Sequence, residues 1–156
     1  MNVNVIKEAQ DITNILNDFL APFDCTAFLG TDFGYYTESN TIEYALFVKD
    51  ENADSFLEYA QSLFTNIHTN IFIWSFLHEL GHHETEDDFE DEEWDEYISR
   101  INKEISCEEY YSLPIEHAAT AWAGEYIQSH VEEVAKLNTE LTIAIDNFLK
   151  AINYTE

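Results

Sequence analysis

The residues whose types and spacing point to chemistry are His78, Glu79 and His82, in the run His78-Glu79-Leu80-Gly81-His82. Two histidines four apart on a helix project from one face, one turn apart. Both imidazoles can then bind a single zinc ion at about 2.0–2.1 Å each. Glu79 is turned by about 100° from His78, where it flanks the metal and serves as general base toward an activated water instead of ligating. Gly81 removes a side chain beside the site and permits close backbone approach. The competing reading is a helix end with two solvated histidines and a salt-bridging glutamate. Composition alone gives HExxH in roughly one of a few hundred chains of this size, so a third ligand has to decide.

An open catalytic zinc site keeps three protein ligands and one free position. The extended metzincin pattern would need Gly at 85 and His at 88; the chain has Thr85 and Asp88, which excludes that class. The remaining solution is a carboxylate from another helix, with Glu116 first and Glu125 and Asp91 as alternatives. Glu116 falls in the first turn of a helix signalled by Ser112-Leu113-Pro114, with Ser112 as cap. Ala119 and Ala123 share its face, and so small a face packs tightly on the histidine helix. An ordinary first-turn acid, favoured by the helix dipole, is the plain alternative. Just before this helix stand Tyr110 and Tyr111. A tyrosine hydroxyl near the metal can stabilise an oxyanion, a role assigned here to Tyr111; rim aromatics are the alternative. His83 is turned away from the ligand face, and His68, His117 and His130 read as ordinary helix or surface residues, although His117 adjoins Glu116.

These groups need elements to hold them. Apolar residues at 5, 9, 12, 16 and 19 predict a helix to Leu20, stopped by Ala21-Pro22. Cys25–Leu29 and Thr41–Val48 read as strands joined by a wide hairpin loop. Asp50 to Asn52 offer caps for a helix with the stripe Phe56, Ala60, Leu63 and Phe64. Thr69-Asn70 can cap a third helix, Ile71 to about Glu84, whose first half is apolar nearly all round and therefore central. Positions 84–96 are acidic at ten of thirteen residues, and read as a solvated lid or flank without the spaced ligands and glycine of an EF-hand. A short helix is expected at about Trp94–Ile105, another from Leu113 into the 130s, and a last one after a break at Asn138-Thr139, using Leu141, Ile145, Phe148, Leu149 and Ile152. The expected fold is α+β: one helix-rich domain over 1–156 with a small antiparallel sheet, a central HExxH helix and an acidic insertion at about 84–96.

The bulk charge narrows the partners. Six Lys and Arg oppose 32 Asp and Glu, for a net charge of -26. With no basic stripe to displace counterions, direct nucleic-acid binding is excluded, and anionic membranes are disfavoured. Such a field favours basic proteins or cationic peptides, or simply keeps the protein soluble. The apolar run Ile71–Leu77 is too short to cross a bilayer, and Met1–Glu8 lacks the pattern of a secretory signal. Cys25 and Cys107 form no CxxC pair and read as free thiols, so a cytoplasmic location is expected.

His78-Glu79-Leu80-Gly81-His82, followed by Glu116-x-x-Ala119-x-x-Trp122-Ala123-x-x-Tyr126-Ile127, resembles the zincin-type metallopeptidases of the ImmA/IrrE kind, intracellular proteins of phages, mobile elements and bacterial stress circuits. Their pattern is HExGH and then E-x-x-A-x-x-F-A, with Trp122 here in place of the usual Phe. The resemblance covers about 50 residues, 78 to 127. It implies a gluzincin-like fold, zinc held by His78, His82 and Glu116, Glu79 as base, and a protein substrate such as a transcriptional repressor. In zincin folds an extended substrate aligns with an edge strand, for which Thr41–Val48 or Cys25–Leu29 would serve. The expected function is that of a zinc-dependent metallopeptidase. The alternative is an acidic, zinc-stabilised binding protein that mimics DNA or sequesters a basic partner without catalysis.

Overall fold

The computed structural model describes residues 3–46 and 51–153. In chain order the elements are α1 (Val3–Leu20), β1 (Thr26–Leu29), β2 (Gly34–Tyr36), β3 (Thr41–Tyr44), α2 (Glu51–Leu63), α3 (Ile71–Thr85), α4 (Asp91–Ile101), α5 (Cys107–Ser112), α6 (Pro114–Ser129) and α7 (Val131–Asn153). The architecture is α+β and helix-rich, as expected. Contacts divide it into two compact units, one formed by 3–46 with 130–153 and the other by 51–129. Among the described residues no helix is long and apolar enough to cross a membrane.

In the first unit, α1 buries Val5, Ile12, Leu16 and Leu20 along one stripe. Pro22 carries the chain into a 3-10 turn closed by Asp24 in the left-handed region, φ 57°. The sheet differs from the expected antiparallel hairpin. Its order is β1-β3-β2, with β1 parallel and β2 antiparallel to β3. The connection expected to be a wide loop contains β2, which folds back on β3 through a turn ending at Asn40, φ 51°. That leaves the far side of β3 to β1, running the same way. Ile42 and Tyr44 point into the core, as the alternation requires. Of the two segments expected to offer an edge, Thr41–Glu43 is paired on both sides, while β1, within Cys25–Leu29, stands at the edge of the sheet; Phe47, Val48 and the cap candidate Asp50 lie outside the described residues.

The break expected at Asn138-Thr139 is absent, and α7 runs through it as one 23-residue helix. Thr139 Oγ1 donates to the Ala135 carbonyl at 2.9 Å and Thr142 Oγ1 to that of Asn138 at 2.7 Å. These hydroxyls bond back into their own helix instead of capping a new one. The interruption falls at Ser129-His130. The longer helix buries Val134, Leu137, Leu141, Ala144 and Phe148, and turns Leu149 to solvent.

In the second unit, α3 is the central element. Asn70 caps it, its Oδ1 accepting from Ile73 N at 3.0 Å, and Ile73, Trp74, Phe76, Leu77 and Leu80 are fully buried. On α2, Phe56 and Ala60 are buried, whereas Leu63 is exposed where the helix ends. The acidic run folds as helix. A 3-10 turn follows α3, and a capping box between Glu90 and Glu93 starts α4, three residues before the expected start at Trp94. Ser112 does not cap α6: it ends the short α5, donating to the Glu109 carbonyl at 2.8 Å. Pro114 opens α6 instead, at a position whose N–H would have no helical partner.

Candidate metal centre

Helices α3 and α6 meet through their smallest residues. A Cβ at Gly81 would strike the Ala119 carbonyl oxygen, with Ala119 C and Cα at 3.0 Å. Ala119 and Ala123 are fully buried at the same face of α6. This close approach lets two side chains of α3 and one of α6 converge over a short span.

Those side chains are His78, His82 and Glu116. Their ligand atoms lie within 4.8 Å of one another, a group that can hold a metal ion. Both imidazole Nε2 atoms face the same carboxylate oxygen, Glu116 Oε1, at 3.0 Å from His78 and 3.2 Å from His82. Glu116 is 2% exposed and His78 5%, so a charged carboxylate sits where desolvation alone costs several kcal/mol. Glu125 and Asp91, the alternative third ligands, are exposed and stand outside the group.

Hydrogen bonds around the group set its chemistry. Thr120 Oγ1 donates to the Glu116 carbonyl at 3.2 Å, which leaves its lone pairs for His78 Nδ1 at 2.9 Å. With Thr120 as acceptor, His78 Nδ1 carries a proton and Nε2 points into the group. A nitrogen lone pair against a carboxylate oxygen at 3.0 Å needs a proton or a cation between them. Donor types, burial and this requirement all fit a divalent metal with two imidazoles and one carboxylate.

Comparison with protein-family models, with curated proteins and with solved structures gives no match.

The electrostatics agree with the geometry. Burial works to raise the Glu116 carboxyl, but the bonds from His78 and His82 and their charge hold it well below the usual carboxylate range. Burial works to lower His82, and is outweighed by the bond and charge of Glu116 together with the charges of Glu79 and Glu86, so its pKa is raised. Glu79 is half-buried on the turn between the two histidines, and its charge reaches both His82 and the Tyr110 hydroxyl. That places it beside the group and outside the ligand set.

The second carboxylate oxygen has its own partner. Tyr97, on α4, donates its hydroxyl to Glu116 Oε2 at 2.6 Å, and the Tyr110 phenol lies near enough to interact with that of Tyr97. Burial, then the Glu116 charge, raises both phenols above their ordinary value, so both remain donors throughout the working range of pH. Tyr111 is placed differently. Its half-buried ring packs on Phe56 at 5.1 Å and Tyr59 at 6.0 Å and meets the His78 ring edge-on at 6.5 Å. His117, beside Glu116 in sequence, is exposed and bonds through Nδ1 to the Tyr59 hydroxyl at 2.7 Å.

Tyr97 and Thr120 are the members that sequence reasoning missed. Thr120 carried a signal, since it stands four residues after Glu116 and faces the same way. Tyr97 carried none, because its approach depends on how a solvated acidic helix docks.

Proposed function

We propose that this chain is a zinc-dependent metallopeptidase of the kind the HExGH and Glu116 segments resemble, acting in the cytoplasm on a protein or peptide substrate of basic or DNA-binding character. The observation that carries the proposal is the convergence of His78 Nε2, His82 Nε2 and Glu116 Oε1 with Glu79 beside them on the same helix. His78, His82 and Glu116 would hold the ion. When bound, zinc would polarise a scissile carbonyl and acidify a water. Glu79 takes the proton of the attacking water on its carboxylate and passes it to the leaving amide nitrogen. Thr120 keeps the His78 Nδ1 proton away from the ligand side. Tyr111, beside the His78 ring, is the residue assigned to steady the carbonyl oxygen as it gains charge.

The test is Glu79→Gln, read by elemental analysis and by hydrolysis of a proteome-derived peptide library under mass spectrometry. The variant is expected to keep about one zinc per chain while losing hydrolysis by roughly 10²-fold or more. Full activity in the variant would remove Glu79 from the mechanism. A zinc-loaded wild type that cleaves nothing, yet inhibits a DNA-binding protein stoichiometrically, would establish the acidic binding protein instead.

A further inference from the structure

Helix α4 has the least evident reason to exist. None of its eleven residues is buried, and Ile98 and Ile101 stand exposed. A helix that contributes nothing to a core is held by something else, and the aromatic contacts along it are local, within 89–97. Phe89 meets Trp94 edge-on at 6.5 Å, and Trp94 meets Tyr97 edge-on at 5.9 Å. This ladder ends on one polar contact, the 2.6 Å bond from the Tyr97 hydroxyl to Glu116 Oε2. A bond of that length is in the range of charge-assisted hydrogen bonds to a carboxylate. Tyr110, from α5, lies near the Tyr97 phenol in turn.

The two oxygens of Glu116 are therefore divided. Oε1 faces both imidazoles and Oε2 faces a phenol. We propose that Tyr97 is a positioning residue for the metal centre, holding Oε2 so that Glu116 ligates through Oε1 alone. The proposal rests on His78, His82 and Glu116 being a metal site. A carboxylate with both oxygens free can close on a metal with both, and would fill the position that a catalytic site keeps open. Residues behind the ligands that orient them typically change metal affinity 10–100-fold when lost. The acidic segment 84–96 thus gains a structural role, because it starts the helix that delivers Tyr97 while its carboxylates turn to water.

The test uses the full chain, wild type and Tyr97→Phe, with two readouts, zinc affinity by chelator competition and visible absorption of the cobalt-substituted protein. Tyr97→Phe is expected to bind zinc about 10–100-fold more weakly. Its cobalt bands should also weaken, because a second carboxylate oxygen raises the coordination number. Tyr110→Phe leaves Tyr97 in place and should show the same changes in smaller measure, which keeps the proposal testable if Tyr97→Phe does not fold. Unchanged affinity and spectrum would overturn the proposal. Weaker binding with an unchanged spectrum would overturn it too, leaving Tyr97 as a packing residue. Absence of metal binding by the wild type would bring down the metal site itself, an outcome separate from either.

Discussion

The hydroxyl of Thr120 illustrates how much rests on one atom. It is fully buried, donates to a main-chain carbonyl and accepts from His78 Nδ1. Without it the His78 ring could protonate on either nitrogen, and half of its orientational control would go. Thr120→Val keeps the shape and removes the acceptor, leaving a buried N–H unpaired at a cost of about 1–3 kcal/mol. The expected result is zinc binding weakened by about 10–100-fold, with binding largely restored in Thr120→Ser. Chelator competition on the three proteins measures this. Equal affinity in Thr120→Val would show that packing alone orients His78.

At the scale of elements, Glu43 on β3 ties the first unit's loop to its sheet. Its Oε2 accepts from the amides of Thr31 at 2.8 Å and Asp32 at 3.1 Å, and Oε1 accepts from the Tyr36 hydroxyl at 2.8 Å. The Tyr36 bond, opposed by some burial and aided by the two amides, lowers the Glu43 pKa below its ordinary value. A group depressed in the folded state contributes its stability above the unfolded pKa and loses it as pH falls through the folded one. The clamp should thus be complete at neutral pH and weaken in acid. The Thr31 and Asp32 amide resonances are expected to titrate with a midpoint below the ordinary glutamate value of about 4.3, and Glu43→Gln should abolish that titration; an ordinary midpoint would remove the clamp. This loop also shows where sequence reading stops. Tyr35 and Tyr36 sit among polar residues and turn formers, so nothing in their alternation marks β2, and only pairing with β3 makes it a strand. The helix pair that carries His78, His82 and Glu116 was far more legible. Fixed spacing put His78 and His82 on one face, and the small residues Gly81, Ala119 and Ala123 foretold the close crossing that brings in Glu116. Tyr97 could not be foretold, because neither capping signals nor apolar periodicity say where α4 docks.

For the molecule as a whole, the charge of -26 is a standing cost. The ion pairs Lys7–Asp11, Lys136–Glu140 and Lys150–Asp146 each lie one turn apart on one helix, where exposed pairs contribute only a few tenths of a kcal/mol. The unit over 51–129 has Arg100 and Lys103 as its cations against the whole acidic run. Carboxylates packed this densely repel one another within a Debye length, which is about 30 Å at 0.01 M salt and about 3 Å at 1 M. Raising sodium chloride across that interval is expected to raise the thermal midpoint of the zinc-loaded protein by about 5 °C, equivalent to roughly 1–2 kcal/mol for a chain of this length. Calcium or magnesium chloride at matched ionic strength should do little more, because nothing in 84–96 is spaced to chelate either ion. A midpoint that falls with sodium chloride would mean that local charge pairing outweighs repulsion. A rise specific to one divalent ion would mean that the acidic run holds a cation of its own.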